Sequence, residues 1–224
     1  MRSLALLIFA VAAALLTPEE KAGCEGKGAS GYGEPANCRR LECAPYRVVL
    51  SRSEFEIRRY RSASWISTPP INSSSYEYAV RRGFDILFSY IQGNNKQGAK
   101  LDMTAPVLVH VFPSTGPFCN SSFVVHFYVP KKYQPDPPLS DQVRPVKLPG
   151  RHSYAGVRRF GGFMNDSNIP AQVSALEKSL EAAKGNDSST LRKHHRVTAW
   201  YSVAGYNSPF EYENRVNEVI LWFD

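Results

Sequence analysis

The stretch Phe55-Glu-Ile-Arg-Arg-Tyr60 returns one hundred residues later in similar form, as Ala155-Gly-Val-Arg-Arg-Phe160. Apolar and charged side chains alternate along the first copy, which places Phe55 and Ile57 on one face and predicts a β-strand. The period is too long for a solenoid of short repeats. We therefore expect two similar halves that combine into one fold.

Working outward from these strands, each half also contains a helix. The first helix begins at a capping box formed by Ser74 and Glu77 and ends at Gly93. The second carries Pro170 in its first turn and ends at Gly185. Apolar residues recur at spacings of three and four along one face of each helix, as in helices packed on a sheet. They are Tyr76, Val80, Phe84, Leu87, Phe88 and Ile91 in the first helix, and Val173, Leu176 and Leu180 in the second.

Strand patterns precede and follow both helices, so each half reads as strands, helix, strands. Pro106 predicts an edge strand or a bulge within the pattern at 103–112. A segment with six prolines, 130–149, reads as an extended linker between the halves. Since each half has too few strands to bury its own helix, the sequence predicts an α+β fold. We expect a distorted antiparallel β-barrel or curved sheet with the two main helices packed outside.

The first 42 residues differ in composition from the remainder. Arg2 followed by the 13-residue apolar run from Leu4 to Leu16 is typical of a secretory signal peptide, because a membrane-spanning helix needs roughly 20 residues. A buried N-terminal helix is the alternative. We predict a signal peptide over 1–22, a flexible extension over 23–42 and a single domain over 43–224. The halves of that domain cover about 43–130 and 144–224.

Sequons and cysteines agree with secretion. Four Asn-x-Ser sequons predict glycosylation at Asn72, Asn120, Asn165 and Asn186. The four cysteines are even in number and lack Cys-x-x-Cys spacing, which favours disulfides in an oxidising compartment over four reduced thiols in a cytosolic protein. Of the three possible pairings we favour Cys43 with Cys119 and Cys24 with Cys38. The prediction is a secretory protein, extracellular or vacuolar, without an integral membrane segment once the signal is removed.

Composition, charge and the absence of catalytic motifs limit the classes of function to be considered. Apolar residues make up 43% and charged residues 21%, which is ordinary for a globular protein, but 12 Phe, 12 Tyr and 3 Trp indicate strands, an apolar cavity, or both. The formal charge of +7 comes mostly from short scattered basic pairs, so we expect no nucleic-acid partner. The sequence lacks a Gly-x-Ser-x-Gly elbow, a His-Glu-x-x-His motif and a P-loop, so we expect no enzyme.

Several motifs, in this order and spacing, resemble the SOUL heme-binding protein family over about residues 43–224. They are Glu56-Ile-Arg-Arg-Tyr60, Lys100-Leu-Asp-Met-Thr-Ala-Pro-Val107, Phe160-Gly-Gly-Phe163, Val203-Ala-Gly-Tyr-Asn-Ser-Pro209 and Arg215-Val-Asn-Glu-Val219. The plant-type branch is the most similar, through Gly116-Pro-Phe-Cys119 and Tyr128-Val-Pro-Lys-Lys132. The family's fold is a distorted β-barrel of two similar halves, each carrying a helix.

The resemblance implies reversible binding of heme or a related tetrapyrrole, as a carrier or buffer, in a shallow apolar groove beside the first helix. Arg81, Phe84 and Phe88 would face that groove, with Tyr76 and Val80 as further heme-contacting residues. Ser89 and Glu211 stand where the family has basic residues that meet the propionates. The alternative is a binding module for other amphiphilic ligands or a protein partner, with incidental heme affinity.

Five histidines raise the question of an axial ligand to heme iron. His110 and His126 lie within apolar strands, which indicates core or edge histidines with satisfied hydrogen bonds. The adjacent His194 and His195 form the most exposed pair, and His152 lies near a turn. No histidine falls on the first helix, so the sequence assigns no axial ligand and no metal site.

Overall fold

The computed structural model describes residues 32–114, 120–184 and 198–223. Its first half consists of β1 (Glu42–Cys43), β2 (Tyr46–Ser51), β3 (Glu56–Tyr60), β4 (Ala63–Ser67), β5 (Ile71–Ser73), α1 (Tyr76–Ile91), β6 (Thr104–Ala105), β7 (Val107–Phe112) and β8 (Ser121–Tyr128). The second half consists of β9 (Arg144–Leu148), β10 (Tyr154–Phe160), α2 (Asn168–Lys184), β11 (Tyr201–Gly205) and β12 (Asn217–Phe223). Short 3₁₀ turns occupy Ala36–Arg39 and Lys131–Tyr133.

One antiparallel sheet in the order β2-β3-β10-β12-β11-β7-β8-β4-β9, with β5 added to β8, carries the whole fold. The order is pseudo-twofold symmetric about the central pair of β11 and β7. Only Arg61 and Ser62 connect β3 to β4, although these strands lie near opposite ends of the sheet. The sheet must therefore curl until its two ends meet, which gives the predicted curved α+β sheet.

The internal repeat is confirmed, but the two similar motifs do not occupy equivalent positions. Symmetry makes β4 the counterpart of β10, and β3 the counterpart of β9. The Phe55 motif in β3 and the Ala155 motif in β10 instead pair with each other, with Ile57 opposite Gly156. Strand β3 of the first half thus pairs with β10 of the second, and β9 of the second half pairs with β4 of the first, which explains why neither half forms a separate domain.

Both faces of the sheet are buried, and the helices cover only one of them. The face opposite the helices carries one continuous cluster with members from nearly every strand, including Trp65, Leu108, Val157 and Trp222, so it is the concave face. The outer face has two clusters, one under α1 and one under α2. The predicted position of both helices outside the curved sheet is therefore confirmed.

The first helix begins one residue later than its sequence predicts. Ser75, rather than Ser74, accepts a hydrogen bond from the Tyr78 amide at its Oγ, and that Oγ donates to Asp166 Oδ2 at 2.8 Å. Asp166 also accepts from the Tyr76 amide at 2.5 Å. A residue of the second half therefore completes the cap, which local pattern could not reveal. The helix ends as predicted, with Gly93 at a φ of 109° just beyond it.

Close packing fixes α1 on β8. A Cβ atom at Gly83 would lie 2.4 Å from Cγ2 of Val125, so a larger residue would push the helix off the sheet. Leu87 and Ala79 are fully buried in the same contact. The second helix has the predicted Pro170 in its first turn, and Leu176 and Leu180 pack beneath it. The predicted cap at Gly185 lies outside the described residues.

The proline predictions are partly wrong. Strand β7 is central, between β11 and β8, so Pro106 does not mark an edge strand. Pro106 instead separates β7 from β6, and β6 pairs in parallel with β1. The segment 130–149 contains a 3₁₀ turn and the edge strand β9, which agrees with a second half that begins at about residue 144. Tyr90 also donates to the Pro138 carbonyl at 2.6 Å, which fixes this segment on α1.

The extension predicted to be flexible is ordered from Tyr32 onward. Asn37 is 7% exposed and donates to the Tyr206 carbonyl at 2.7 Å, and the Arg159 guanidinium donates to the Gly33 carbonyl at 2.6 Å. The segment therefore belongs to the domain that it precedes. The predicted signal peptide over 1–22 lies outside the described residues and stays a prediction.

The disulfide pairing favoured from sequence is wrong. Cys38 pairs with Cys43, because the 3₁₀ turn at Ala36–Arg39 and the short β1 bring their Cα atoms to 5.5 Å. Cys43 is therefore not available to Cys119, nor Cys38 to Cys24. Cys24 and Cys119 themselves lie outside the described residues.

Within the described residues, no helix is both long and apolar enough to cross a lipid bilayer.

Candidate functional site

An exposed aromatic strip runs along one side of α1. It consists of Val80, Arg81, Phe84 and Phe88, and is called the helix flank below. The rings of Phe84 and Phe88 stack with centroids 5.6 Å apart and planes inclined by 14°. Phe84 is half-buried because its ring meets Phe127 of β8 edge-on at 5.3 Å, whereas Phe88 remains 42% exposed.

The flank follows from the spacing of its residues. Positions 80, 84 and 88 are four apart, so they form one ridge at the border between the buried face of α1 and solvent. Arg81 lies one turn before Phe84 and two turns before Phe88, on the solvent side, and is exposed. In the described residues, no carboxylate forms an ion pair with Arg81. The flank therefore offers a planar apolar surface beside a free cation.

Tyr76, predicted to face the same groove, belongs to the core instead. It is 6% exposed, its ring meets Phe123 at 6.2 Å, and its hydroxyl contacts Met164 Sδ at 3.7 Å. Position 76 lies on the ridge, but the loop before α2 covers that end of the helix. Four of the five predicted residues therefore share an accessible surface, and Tyr76 only supports it.

The two positions that depart from the family pattern have other partners. Asn94 donates to Ser89 Oγ at 3.0 Å at the end of α1. Glu211 accepts from Arg40 at 2.7 Å and from Asn37 at 2.9 Å. Hydrogen bonds from Asn37 and Arg40 lower the pKa of Glu211 to about 2. Glu211 thus holds the N-terminal segment in place rather than meeting an anionic ligand.

The concave face contains a buried group of charges that sequence reasoning missed. Arg58 donates to Glu56 at 2.8 Å and, through both terminal nitrogens, to Glu218 at 2.9 Å. Arg159 also donates to Glu218, at 2.9 Å, and the group of Glu56, Arg58, Arg159 and Glu218 is called the charge network below. The side chains of Glu56, Arg58 and Glu218 are fully buried. The alternation seen in β3 predicted this charged face but not its burial.

Electrostatics favour the ionised form of Glu218 within the charge network. Burial alone would raise the pKa of Glu218, but the charges and hydrogen bonds of Arg58 and Arg159 outweigh burial and hold that pKa below its usual range. The ring of Tyr46 lies 3.8 Å from the Arg58 guanidinium, and the Tyr206 hydroxyl donates to Glu218 at 3.0 Å. Every charge therefore has several partners, as a buried ionic group requires. Because the charges of the network are already partnered within the protein, we interpret its role as structural.

Little space remains on the concave face for a ligand. One cavity on this face, between Tyr60, Trp65 and Trp222, has a volume of about 30 Å³. Ligand pockets in proteins usually hold about 300–1,000 Å³. A porphyrin cannot enter this cavity. The stacked rings of Phe84 and Phe88 on the helix flank offer an apolar surface on the outside of the sheet.

The described histidines are buried on the concave face, which confirms the core position predicted for His110 and His126. Their hydrogen bonds are not all satisfied, because Nε2 of each is buried without a partner. His110 and His126 are 8% and 3% exposed, with ring centroids 4.3 Å apart, and His152 is 7% exposed. Burial lowers the pKa of His110 to about 4; burial, with His110 and Arg144 nearby, lowers that of His126 too. Because the helix flank is on the outer face, none of these three can reach a ligand bound there. His194 and His195 lie outside the described residues.

Among the residues that the structure describes, no three His, Cys, Asp or Glu side chains are grouped so that they could hold a metal ion. The residues present fit the organic part of a heme group, namely a flat apolar ring with carboxylate side arms, rather than its iron. Phe84 and Phe88 match the ring and Arg81 matches a carboxylate. The described residues supply no axial ligand at the flank.

The fold and its surface define a class of protein: a single duplicated α+β domain with a filled interior and an aromatic outer flank. The sequence profile of the SOUL heme-binding protein family matches residues 41–222. Heme-binding protein 2 from Homo sapiens is 36% identical over 197 residues, which are 85% of this chain and 90% of that protein. Heme-binding protein 1 from Bos taurus is 27% identical over 186 residues, 81% of this chain and 91% of that protein. The chain belongs to the SOUL heme-binding protein family.

Solved structures agree with the fold. The C-terminal domain of EcmrR matches 80% of this chain and 98% of its own, with a TM-score of 0.50. Sequence identity is only 10%, so the likeness concerns the fold alone.

Proposed function

We propose that this protein binds heme or a related tetrapyrrole reversibly, as a carrier or buffer, and does not catalyse a reaction. The single observation that carries the proposal is the stacked pair of half-buried Phe84 and exposed Phe88 beside Arg81, which forms no ion pair within the described residues. Family membership and the names of its relatives support heme as the ligand.

Apolar contact supplies the binding energy in this proposal. A porphyrin face covers a few hundred Å² of apolar surface, and at about 25 cal/mol per Å² its burial is worth several kcal/mol before ordering costs. The exposed Phe88 ring lies against the macrocycle, and Arg81 donates to a propionate carboxylate. Phe84 holds Phe88 in position through its contact with Phe127.

Titration of the full-length protein with hemin tests the proposal, followed by the Soret band. We expect saturable binding with one site per chain, and iron-free protoporphyrin should bind within about threefold as tightly, because no described residue near the flank ligates iron. The absence of any Soret change at micromolar hemin would favour the other class of function, a module for different amphiphiles or for a protein.

The compartment in which this happens is also a proposal: the secretory pathway, with an extracellular or vacuolar destination. The Cys38–Cys43 disulfide supports it, since disulfides persist in oxidising compartments. Asn72 and Asn120 are exposed and accessible to glycosylation, whereas Asn165 accepts hydrogen bonds from the Ser167 and Asn168 amides at the start of α2. Asn186 lies outside the described residues.

Asn72 offers a direct test of that route. In material from the native source, the Asn72→Gln variant should migrate faster than the parent by one glycan, and glycosidase should abolish the difference. An unchanged mobility together with an uncleaved N-terminus would contradict the secretory route.

A further inference from the structure

A second surface feature lies where the two ends of the curled sheet meet. The chain crosses this seam twice, at Arg61 and Ser62 between β3 and β4, and at 149–153 between β9 and β10. An open depression of about 620 Å³ lies at the seam. Its polar lining consists of Arg47, Arg59, Arg61, Ser62 and Ser153, a group called the seam mouth below.

The three arginines of the seam mouth are placed against one another. Arg47 of β2 lies directly opposite Arg59 of β3 in the antiparallel register, and like charges in that position repel. Arg61 follows two residues after Arg59, and all three side chains are exposed. Arg59 also lies over the Tyr154 ring, with its guanidinium carbon 5.6 Å from the ring centroid. The stacking holds its planar donor group at the rim.

Within the described part of the chain, no carboxylate lies within ion-pair distance of these arginines. Other arginines nearby differ, because Arg58 of β3 and Arg158 of the adjacent β10 both have carboxylate partners, Glu218 and Glu54. The seam mouth therefore concentrates positive charge without compensation, at a cost to the folded state that a bound anion would remove.

We propose that the seam mouth binds a multivalent phosphate group, carried either by a small phosphorylated molecule or by a phosphorylated lipid headgroup. Guanidinium groups donate in pairs to phosphate oxygens, and three of them match the two or more charges of a phosphate ester better than the single charge of a carboxylate. The hydroxyls of Ser62 and Ser153 line the same depression and add neutral donors. None of these residues belongs to the helix flank, so the site is separate from the proposed tetrapyrrole surface.

Isothermal titration of the full-length protein with inorganic pyrophosphate tests the proposal, with citrate as a carboxylate of similar charge. Pyrophosphate should bind at millimolar affinity or better, at least fivefold more tightly than citrate, and more weakly as salt rises. The double variant Arg47→Gln/Arg59→Gln should bind at least tenfold more weakly. Arg82→Gln, which removes an exposed charge from α1, is the matched control and should bind like the parent.

Folding and ligand source are checked in the same series. The double variant should melt no lower than the parent and should bind hemin equally well, so a loss of pyrophosphate binding cannot reflect unfolding. Flotation with phosphatidylcholine vesicles, with and without a phosphoinositide, separates the sources. Pyrophosphate binding without vesicle binding assigns a soluble ligand, and binding that requires the phosphoinositide assigns a headgroup. Binding of neither, equal binding of citrate, or equal binding by the double variant would overturn the proposal.

Discussion

The concave face of the sheet and the helix flank both carry aromatic side chains, but only the concave face is closed by them. On the concave face the ring centroids of Tyr60 and Trp222 are 5.2 Å apart and those of Trp65 and Tyr128 are 5.4 Å apart, and the cavity beside them measures about 30 Å³. On the flank, Phe84 and Phe88 stack on each other, and Phe88 keeps 42% of its surface exposed. Aromatic residues thus fill the interior in one region and remain available for a ligand in the other.

The comparison shows that the many aromatic residues of this small domain have two separate roles, packing in the interior and exposure on the helix flank. The interior aromatics pack around a buried charge network, whereas the flank aromatics can bind a ligand only if they remain accessible to solvent. Substitutions in the two regions should therefore affect different properties, stability in the first and ligand affinity in the second.

Breaking the charge network should give the largest effect. Arg58→Met leaves Glu56 and Glu218 buried with fewer partners, and removing one member of such a group costs about 3–5 kcal/mol of unfolding free energy. Urea denaturation measures this loss. Arg59→Met, at the adjacent exposed position, is the control and should change the unfolding free energy by less than about 0.5 kcal/mol. Similar losses for both variants would mean that the network contributes nothing special.

The next largest effect should be a loss of folding stability in acid, which arises from buried histidines of the concave face. His110 has a folded pKa of about 4, so between pH 6.5 and pH 5 the unfolded chain takes up a proton at this residue that the folded protein does not. Stability is therefore lost as the pH falls through that range, by up to about 1.4 kcal/mol per pH unit for each such histidine. His126, whose pKa is also lowered, adds to this loss. Glu218 contributes only below about pH 4.5, where its unfolded form takes up a proton.

Urea denaturation at pH 7 and pH 5 measures this acid sensitivity. The His110→Phe variant should lose less stability between the two pH values than the parent, by about 2 kcal/mol, whatever its absolute stability. An equal loss in the variant and the parent would contradict the placement of His110 as a neutral, buried side chain.

The sequence predicted the helix flank better than the concave face, because helical periodicity is local whereas the other contacts join distant residues. Spacing alone located α1 and the ridge of Val80, Phe84 and Phe88, because helical periodicity is local. It could not exclude Tyr76 or find the true cap at Ser75, because both depend on residues of the second half, Met164 and Asp166.

On the concave face the strands were predicted but their burial was not. The charged residues of β3 read as a solvent-facing side, since nothing local shows that Glu218, 160 residues away, pairs with Arg58. The disulfide prediction was wrong for a local reason. Cys38 and Cys43 are only five residues apart, and the turn that joins them lies in a segment predicted to be flexible.

The most direct test of the central claim is the hemin affinity of two aromatic variants of the same helix. Phe88→Ala should weaken hemin binding by about tenfold, or about 1.4 kcal/mol, because it removes an exposed ring from the ligand surface. Tyr78→Ala removes a ring that is 57% exposed on another side of α1 and should leave the affinity within about twofold of the parent. Equal affinities for Phe88→Ala and the parent, or an equal loss in both variants, would contradict the assignment of the flank as the tetrapyrrole site.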